Sequence, residues 1–396
     1  MKIRLTLAIL LISSTAFSQI KILFDNTKAE QAGNADWVIS NSSSPTQVPT
    51  PAQSGITSST SETFWSGALS AWGVDCVKKG YSVETLPSSG SITYGSSSNT
   101  QDLSKYNVFI VCEPNIQFSA TEKTALMNFV KNGGGLFMVS DHTVSDRNND
   151  GWDSPAIWND FLTTNSVQAN PFGISFDLAN FSLTSTNLAT ITNDSILQGP
   201  MGACAKVMWS NGTTMTLDKT KNPTAVGYVY NTGASTAGTT NVMFATAKYG
   251  NGKVAAIGDS SPCDDGTGGS GNALYNGYTG DVGVNHEYLL MNATIWLATH
   301  KASVKTDIVS PQKFDLILYP NPVTDGKLNI NYSGSDFIPS KLQVLDLTGK
   351  MLQSVELNDN VNGLQTLDLS MLRSGAYLCR FSNAKGVQTQ MITVCK

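Results

Sequence analysis

The chain has 396 residues, of which 40% are hydrophobic and only 14% charged, with 25 Lys plus Arg against 30 Asp plus Glu and a net charge of −5. That balance excludes a basic nucleic-acid-binding face and a polybasic membrane-surface segment, and the apolar content excludes disorder as a description of the whole. The length suits two or three units.

Residues 1–18 open with Lys2 and Arg4, continue through an apolar run from Leu5 to Ile12, and reach small residues at Ala16 and Ser18. This is the pattern of a secretory signal peptide cleaved ahead of Gln19. No later segment holds the ~18 uninterrupted apolar residues of a membrane span, so none is expected.

Residues 19–302 read as an alternating α/β unit. Ile20–Phe24 is an apolar strand, and a Ser/Thr/Pro-rich loop covers 41–61. Phe64, Ala68, Leu69, Trp72 and Cys76 have helical spacing across 62–79. Strands follow at Tyr81–Leu86 and Val108–Cys112. Ser119 with Glu122 forms a capping box that starts the next helix, and Asn132-Gly133 ends it. Leu136–Ser140 is a strand, 165–247 is β-rich, Lys253–Gly258 is a strand and His286–Thr299 a closing helix. The expected fold is a parallel sheet with helices on both faces.

In such sheets ligands bind beyond the carboxyl ends of strands. Asp25, Glu113, Asp141-His142 and Asp259 each follow a strand, so four strands end on an acid. Helix capping and turn formation use the same residues, and both readings stand. Asp146, Asn148, Asp150 and Asp153 alternate around Gly151, the opening of a calcium-loop pattern, but position twelve holds Ile157 in place of the bidentate Glu. A solvated Asx-rich turn fits the same pattern. His142 adjoins Asp141 and His286 opens the last helix; an imidazole with carboxylates suits a hydrolytic metal set or an oriented general base. Ser260 lacks the flanks of a nucleophile elbow. Trp65, Trp152 and Trp158 are candidates for stacking on sugars or for ordinary packing.

From Leu316 short alternating runs read as a small antiparallel β-sandwich over 316–396, joined through a polar linker at 303–315. Leu318-Tyr319-Pro320-Asn321-Pro322, then Val344 to Lys350, then Leu369 to Tyr377 together resemble the C-terminal sorting domain of type IX secretion cargo in Bacteroidetes. The resemblance implies engagement of the type IX secretion machinery and a protein that passes through the periplasm to be secreted or attached to the outer surface. Cys379 and Cys395 lie in late strands of this region and are a candidate pair. Cys76, Cys112, Cys204 and Cys263 show no CxxC spacing.

Tyr106 to Val111, Phe118 to Leu126 and Phe129 to Leu136 resemble the class I glutamine amidotransferase-like fold, in its trehalose-utilisation-type and uncharacterised secreted branch. The resemblance implies a flavodoxin-like, amidotransferase-like sheet. Where that family carries its nucleophilic Cys, this chain has Ser140-Asp141-His142, which puts glutaminase chemistry in doubt. Two functions are carried forward. One is a metal-assisted hydrolase of carbohydrate or glycoconjugate, with Asp141, His142, Asp259 and His286 as catalytic residues, and with Asp25 and the loop Asp146, Asn148, Asp150, Asp153 holding a divalent cation, calcium or a catalytic metal. The other is a non-catalytic surface module that binds extracellular polysaccharide or a protein partner.

Overall fold

A computed structural model describes residues 19–29, 37–40, 50–267, 275–280, 283–299, 315–333, 339–346, 350–357, 362–383 and 386–396. The leader and most of the polar linker lie outside the described residues. The chain divides into two units, Met1–Ser303 and Val304–Lys396.

The first unit begins with strand β1 (Lys21–Asp25), helix α1 (Ser70–Lys78), β2 (Ser82–Leu86), β3 (Val108–Cys112), helix α2 (Ala120–Lys131), β4 (Gly135–Val139) and helix α3 (Ser154–Thr164). Short strands follow: β5 (Ile174–Phe176), β6 (Phe181–Ser185), β7 (Gln198–Gly199), β8 (Gly202–Ala203), β9 (Val207–Gly212), β10 (Met215–Leu217) and β11 (Val226–Tyr230). Then come β12 (Val242–Tyr249), β13 (Gly252–Ile257) and helix α4 (His286–Ala298). Helix α2 starts where its capping box places it: the Ser119 side chain accepts from the Glu122 N–H, and the Glu122 carboxylate accepts from the Ser119 N–H. The helix expected over 62–79 is divided. Glu62–Phe64 forms a separate 3-10 turn and α1 begins only at Ser70. Gly67 lies between them at φ +113, where an added Cβ would sit 2.7 Å from the Val38 carbonyl oxygen. That backbone state suits glycine and interrupts a helix.

The main sheet runs β2-β1-β3-β4-β13-β12-β10-β5, with β11 also paired to β12. Strands β2, β1, β3, β4 and β13 are mutually parallel. Beyond β13 the pairing turns antiparallel through β12, β10 and β5, so the sheet is mixed and only its first half is the expected parallel one. The register brings Tyr249 opposite Gly252, leaving Gly250 (φ +57) and Asn251 as a two-residue turn. A connection that short joins antiparallel strands only.

Alternation along the central strands feeds two cores. Ile22, Phe24, Ile110, Phe137 and Ile257 pack with Trp72 of α1 and Leu290 of α4. Leu23, Phe109, Val111 and Met138 pack with Phe129 of α2 and Phe161 of α3. Helices therefore cover both faces, as the period-two pattern of fully apolar strands requires. Helix α4 is apolar nearly all round and buried. Its one buried amide, Asn292, donates to the carbonyls of Ile196 and Gly202 and accepts from the Met201 N–H.

The second unit holds β14 (Asp315–Tyr319), β15 (Lys327–Ser333), β16 (Lys341–Leu345), β17 (Met351–Glu356), β18 (Asn362–Asp368), β19 (Gly375–Asn383) and β20 (Gly386–Val394). They form two antiparallel sheets, β14-β15-β18 and β17-β16-β19-β20, which share a core containing Leu318, Leu328, Ile330, Val344 and Phe381. The candidate Cys379–Cys395 pair does not fit this register. Cys379 faces Gln390 and is buried, whereas Val394 faces Gly375 and Cys395 is exposed beyond it. Roughly five residues at about 3.4 Å each separate them, well past the ~7 Å Cα span of a disulfide.

Candidate functional site

The carboxyl edge of the parallel strands gathers acids because the ladder runs one residue past the strands. The Glu113 N–H donates to the Val139 carbonyl at 3.1 Å and the Ser140 N–H to the Ile257 carbonyl at 2.9 Å. Strands β3, β4 and β13 are neighbours, so Glu113, Asp141 and Asp259 emerge side by side. Glu113 takes φ +43, a left-handed state uncommon for a residue with a side chain and met at functional turns.

These three acids are 2%, 4% and 0% exposed. The Asp141 and Glu113 carboxyls influence each other directly, and two carboxyls brought together hydrogen-bond only if they share a proton. The Ser260 hydroxyl donates to Glu113 Oε2 at 2.9 Å. Asp259 accepts from the Ser210 N–H at 2.6 Å and the Ser261 N–H at 2.8 Å. Burial, followed by the charge of Asp259, pushes Asp141 well above the usual carboxylate range. Burial likewise raises Asp259 in spite of its two backbone donors, with the Glu113 charge adding to the effect. Like charges in a dry site oppose one another's ionisation, so the cluster holds its protons more tightly than free carboxyls do.

His142 stands at the rim. Its Nε2 is 3.4 Å from Asp141 Oδ2. Nδ1 lies against the Thr143 carbonyl and 2.8 Å from the Asn180 side-chain amide. The carbonyl asks for a proton on Nδ1 and the Asn180 NH2 group for a bare Nδ1, so these two contacts compete for the ring nitrogen while Nε2 faces the Asp141 carboxyl. Burial, and then the Arg147 charge among other neighbours, lowers the His142 pKa. An acid that resists ionisation thus meets an imidazole that resists protonation.

The remaining sequence candidates bond elsewhere. Asp25 is fully buried, and its oxygens accept from the Thr27 N–H and hydroxyl and from the Lys28 N–H. Asp146 accepts from the N–H groups of Asp150 and Gly151, and Asp150 from that of Trp152. Asn148 donates to the Asn115 carbonyl and to Asp150. Asp153 caps α3 at Ala156 and accepts from the Val144 N–H. Those oxygens serve turns and a helix end, and no group of three or more metal-ligating side chains occurs among the described residues. His286 is 1% exposed; Nδ1 donates to the Gly277 carbonyl and Nε2 accepts from the Met208 N–H. Both nitrogens are committed to backbone. Trp158 is fully buried against Phe118, Phe161 and Phe176 and donates to the Val139 carbonyl, and Trp65 is 2% exposed. These two are packed residues.

Sequence reading named Glu113 only as a strand-end acid and left it out of the site; its partnership with Asp141 depends on lateral strand order, which no local pattern carries. Asn180, beside His142, had no signal at all.

Among solved structures the chain is similar to the mmIFT52 N-terminal domain (13% identity, TM-score 0.41, 71% of this chain and 98% of that one) and to cytoplasmic protein STM3548 from Salmonella typhimurium (11% identity, TM-score 0.40, 70% and 99%). No curated protein sequence matches the chain. No helix among the described residues is long and apolar enough to cross a membrane. Residues 317–395 match the secretion system C-terminal sorting domain, and this tail directs the chain through type IX secretion, to release or to attachment at the cell surface.

Proposed function

We propose that the first unit is an exported hydrolase of carbohydrate or glycoconjugate whose acid is the Asp141 carboxyl and whose base is His142. One observation carries the reading: environments at the sheet's carboxyl edge push Asp141 upward and His142 downward. Acid–base catalysis at neutral pH needs one group protonated and the other free to accept. Burial and the Asp259 charge raise the acid against the opposing contact with Glu113, and Thr143 and Asn180 contact the imidazole. Asp141 and Glu113 sit side by side at the ends of neighbouring strands and influence each other's ionisation, so they act as one acid and not as the separated carboxyl pair of ordinary glycosidases. The strand order β2-β1-β3-β4-β13 is that of flavodoxin-like sheets and supports the amidotransferase-like reading of this unit. The oxygens of Asp146, Asn148, Asp150 and Asp153 already hold turns and a helix end, and the mechanism is drawn from the side chains at the sheet edge alone.

A cleft of about 450 Å³ whose lining includes Ser91, Thr93, Tyr94, Ser119, Thr121 and Asn128 favours a second reading, a non-catalytic module that binds polysaccharide through hydroxyl and amide groups. A glycan panel assayed with the full exported chain separates the two. Turnover that falls ~10²–10⁴-fold in Asp141→Asn and His142→Gln, and that survives chelator, supports the hydrolase. Binding without turnover, unchanged in both variants, supports the binding module and removes the hydrolase.

A further inference from the structure

The cleft beside α2 has one wall in the loop after β2, through Ser91, Thr93 and Tyr94, and the other in α2, through Thr124 and Asn128. These two α2 residues are four apart and so share a helix face. Asp102, fully buried, fixes the loop wall. Its carboxylate accepts from the Thr93 hydroxyl at 2.6 Å, from the Gly95 and Ser96 N–H groups at 2.9 and 2.8 Å, and from the N–H and hydroxyl of Ser104. Tyr94 is held against Phe129 of α2, with ring centroids 6.4 Å apart. Glu122 is the one charged side chain in the lining, and it is committed: it accepts from the Ser119 N–H at 2.8 Å and pairs with Lys28 at 2.9 Å. The Ser91 hydroxyl, the Tyr94 hydroxyl and the Asn128 side-chain amide are left with no hydrogen-bond partner among the described residues.

We propose that this cleft is a subsite for an uncharged glycan, gripping a neutral pyranose through Ser91, Tyr94 and Asn128. This rests on the glycan reading of the first unit, catalytic or not, and adds the charge class of the ligand and the side chains that select it. The volume of about 450 Å³ falls within the ~300–1,000 Å³ of small-molecule sites. Two hydroxyls and an amide supply donors and acceptors together, which is what a ring of sugar hydroxyls requires. Ile92 and Ala125 add apolar surface for the ring C–H groups. A sulfate or uronate group would give up its water and meet no cation in the lining, a large penalty for a charge. The loop wall is already fixed by Asp102, so little ordering is lost on binding. Neither Asp141 nor His142 lines the cleft, so gripping and cleavage are separable by substitution.

The test is titration calorimetry on the full exported chain carrying Asp141→Asn, so that turnover does not consume the ligand. Cellohexaose, maltohexaose, mannohexaose and xylohexaose are the neutral probes, and hexamers of alginate and polygalacturonate the anionic ones. At least one neutral probe should bind, and more tightly than either anionic one. Tyr94→Phe and Asn128→Ala should each weaken it about 3–10-fold while the melting temperature stays at its starting value. Affinity unaltered by both substitutions overturns the subsite, and wild-type turnover of the same glycan then still supports the hydrolase. Tighter binding of an anionic probe, or binding of no probe, overturns it as well. Failure of the hydrolase reading shows differently, as absent turnover beside binding that both substitutions weaken.

Discussion

Replacing Asp25 by Asn tests whether the acids at this sheet edge are governed by burial. Asp25 is fully buried, and burial outweighs its hydrogen bonds and the nearby Lys28 charge, raising its pKa from 3.8 to about 6. A raised carboxyl binds its proton more tightly in the folded state, so stability is lost as pH climbs from the unfolded value through the folded one. At ~1.4 kcal/mol per pKa unit the full loss is about 3 kcal/mol, of which about 2 kcal/mol falls between pH 4.5 and 7.5. Asn cannot ionise. It keeps one oxygen for the Thr27 donors but sets an amide N–H against the Lys28 N–H, a constant penalty of about 1–3 kcal/mol. The assay is denaturant unfolding of both full chains across that range. All 7 tryptophans lie between Trp37 and Trp296, so their fluorescence reports the first unit alone. The wild type should lose about 2 kcal/mol more than Asp25→Asn on going from pH 4.5 to 7.5. Parallel curves would refute the burial reasoning. A wild type that gains on the variant as pH rises, and only with divalent cation present, would make Asp25 a ligand.

Three further outcomes follow from the fold. Ser119→Ala removes the hydroxyl half of the capping box and should cost about 1 kcal/mol, seen as a lower melting temperature of the first unit. Trp158→Ala should cost about 3–5 kcal/mol, because the ring is fully buried among aromatics, while glycan affinity at a temperature where the variant stays folded is unchanged; a selective loss of affinity would restore a sugar-stacking role. Deleting 315–396 should leave the protein inside the cell envelope, and immunoblots that still find it in the medium would contradict the sorting assignment.

How much of this was legible depended on whether the deciding contact was local. The start of α2 was readable because Ser119 and Glu122 bond within one turn. Strand β3 was readable because Val108–Cys112 is apolar on both faces. The break before α1 was not, since it turns on a carbonyl of Val38 that sequence places far from Gly67. The antiparallel half was missed because alternation alone does not name a partner, although Gly250-Asn251 held the clue. At the site, strand-end acids were visible from the sequence, but their convergence required β3, β4 and β13 to be neighbours. The Asp146–Asp153 spacing is shared by cation loops and Asx turns, and only the direction of the oxygens tells them apart.

The most direct measurement of the central claim is the pH dependence of kcat/KM on whichever glycan the panel identifies. With His142 lowered and Asp141 raised, the active form is neutral imidazole with protonated carboxyl, so the profile should be a bell whose acid limb reports His142 and whose alkaline limb reports the carboxyl cluster. His142→Gln should erase the acid limb and Asp141→Asn the alkaline one, each at strongly reduced rate. A profile whose limbs survive both substitutions, or a chain that turns over no glycan while binding one, would contradict it.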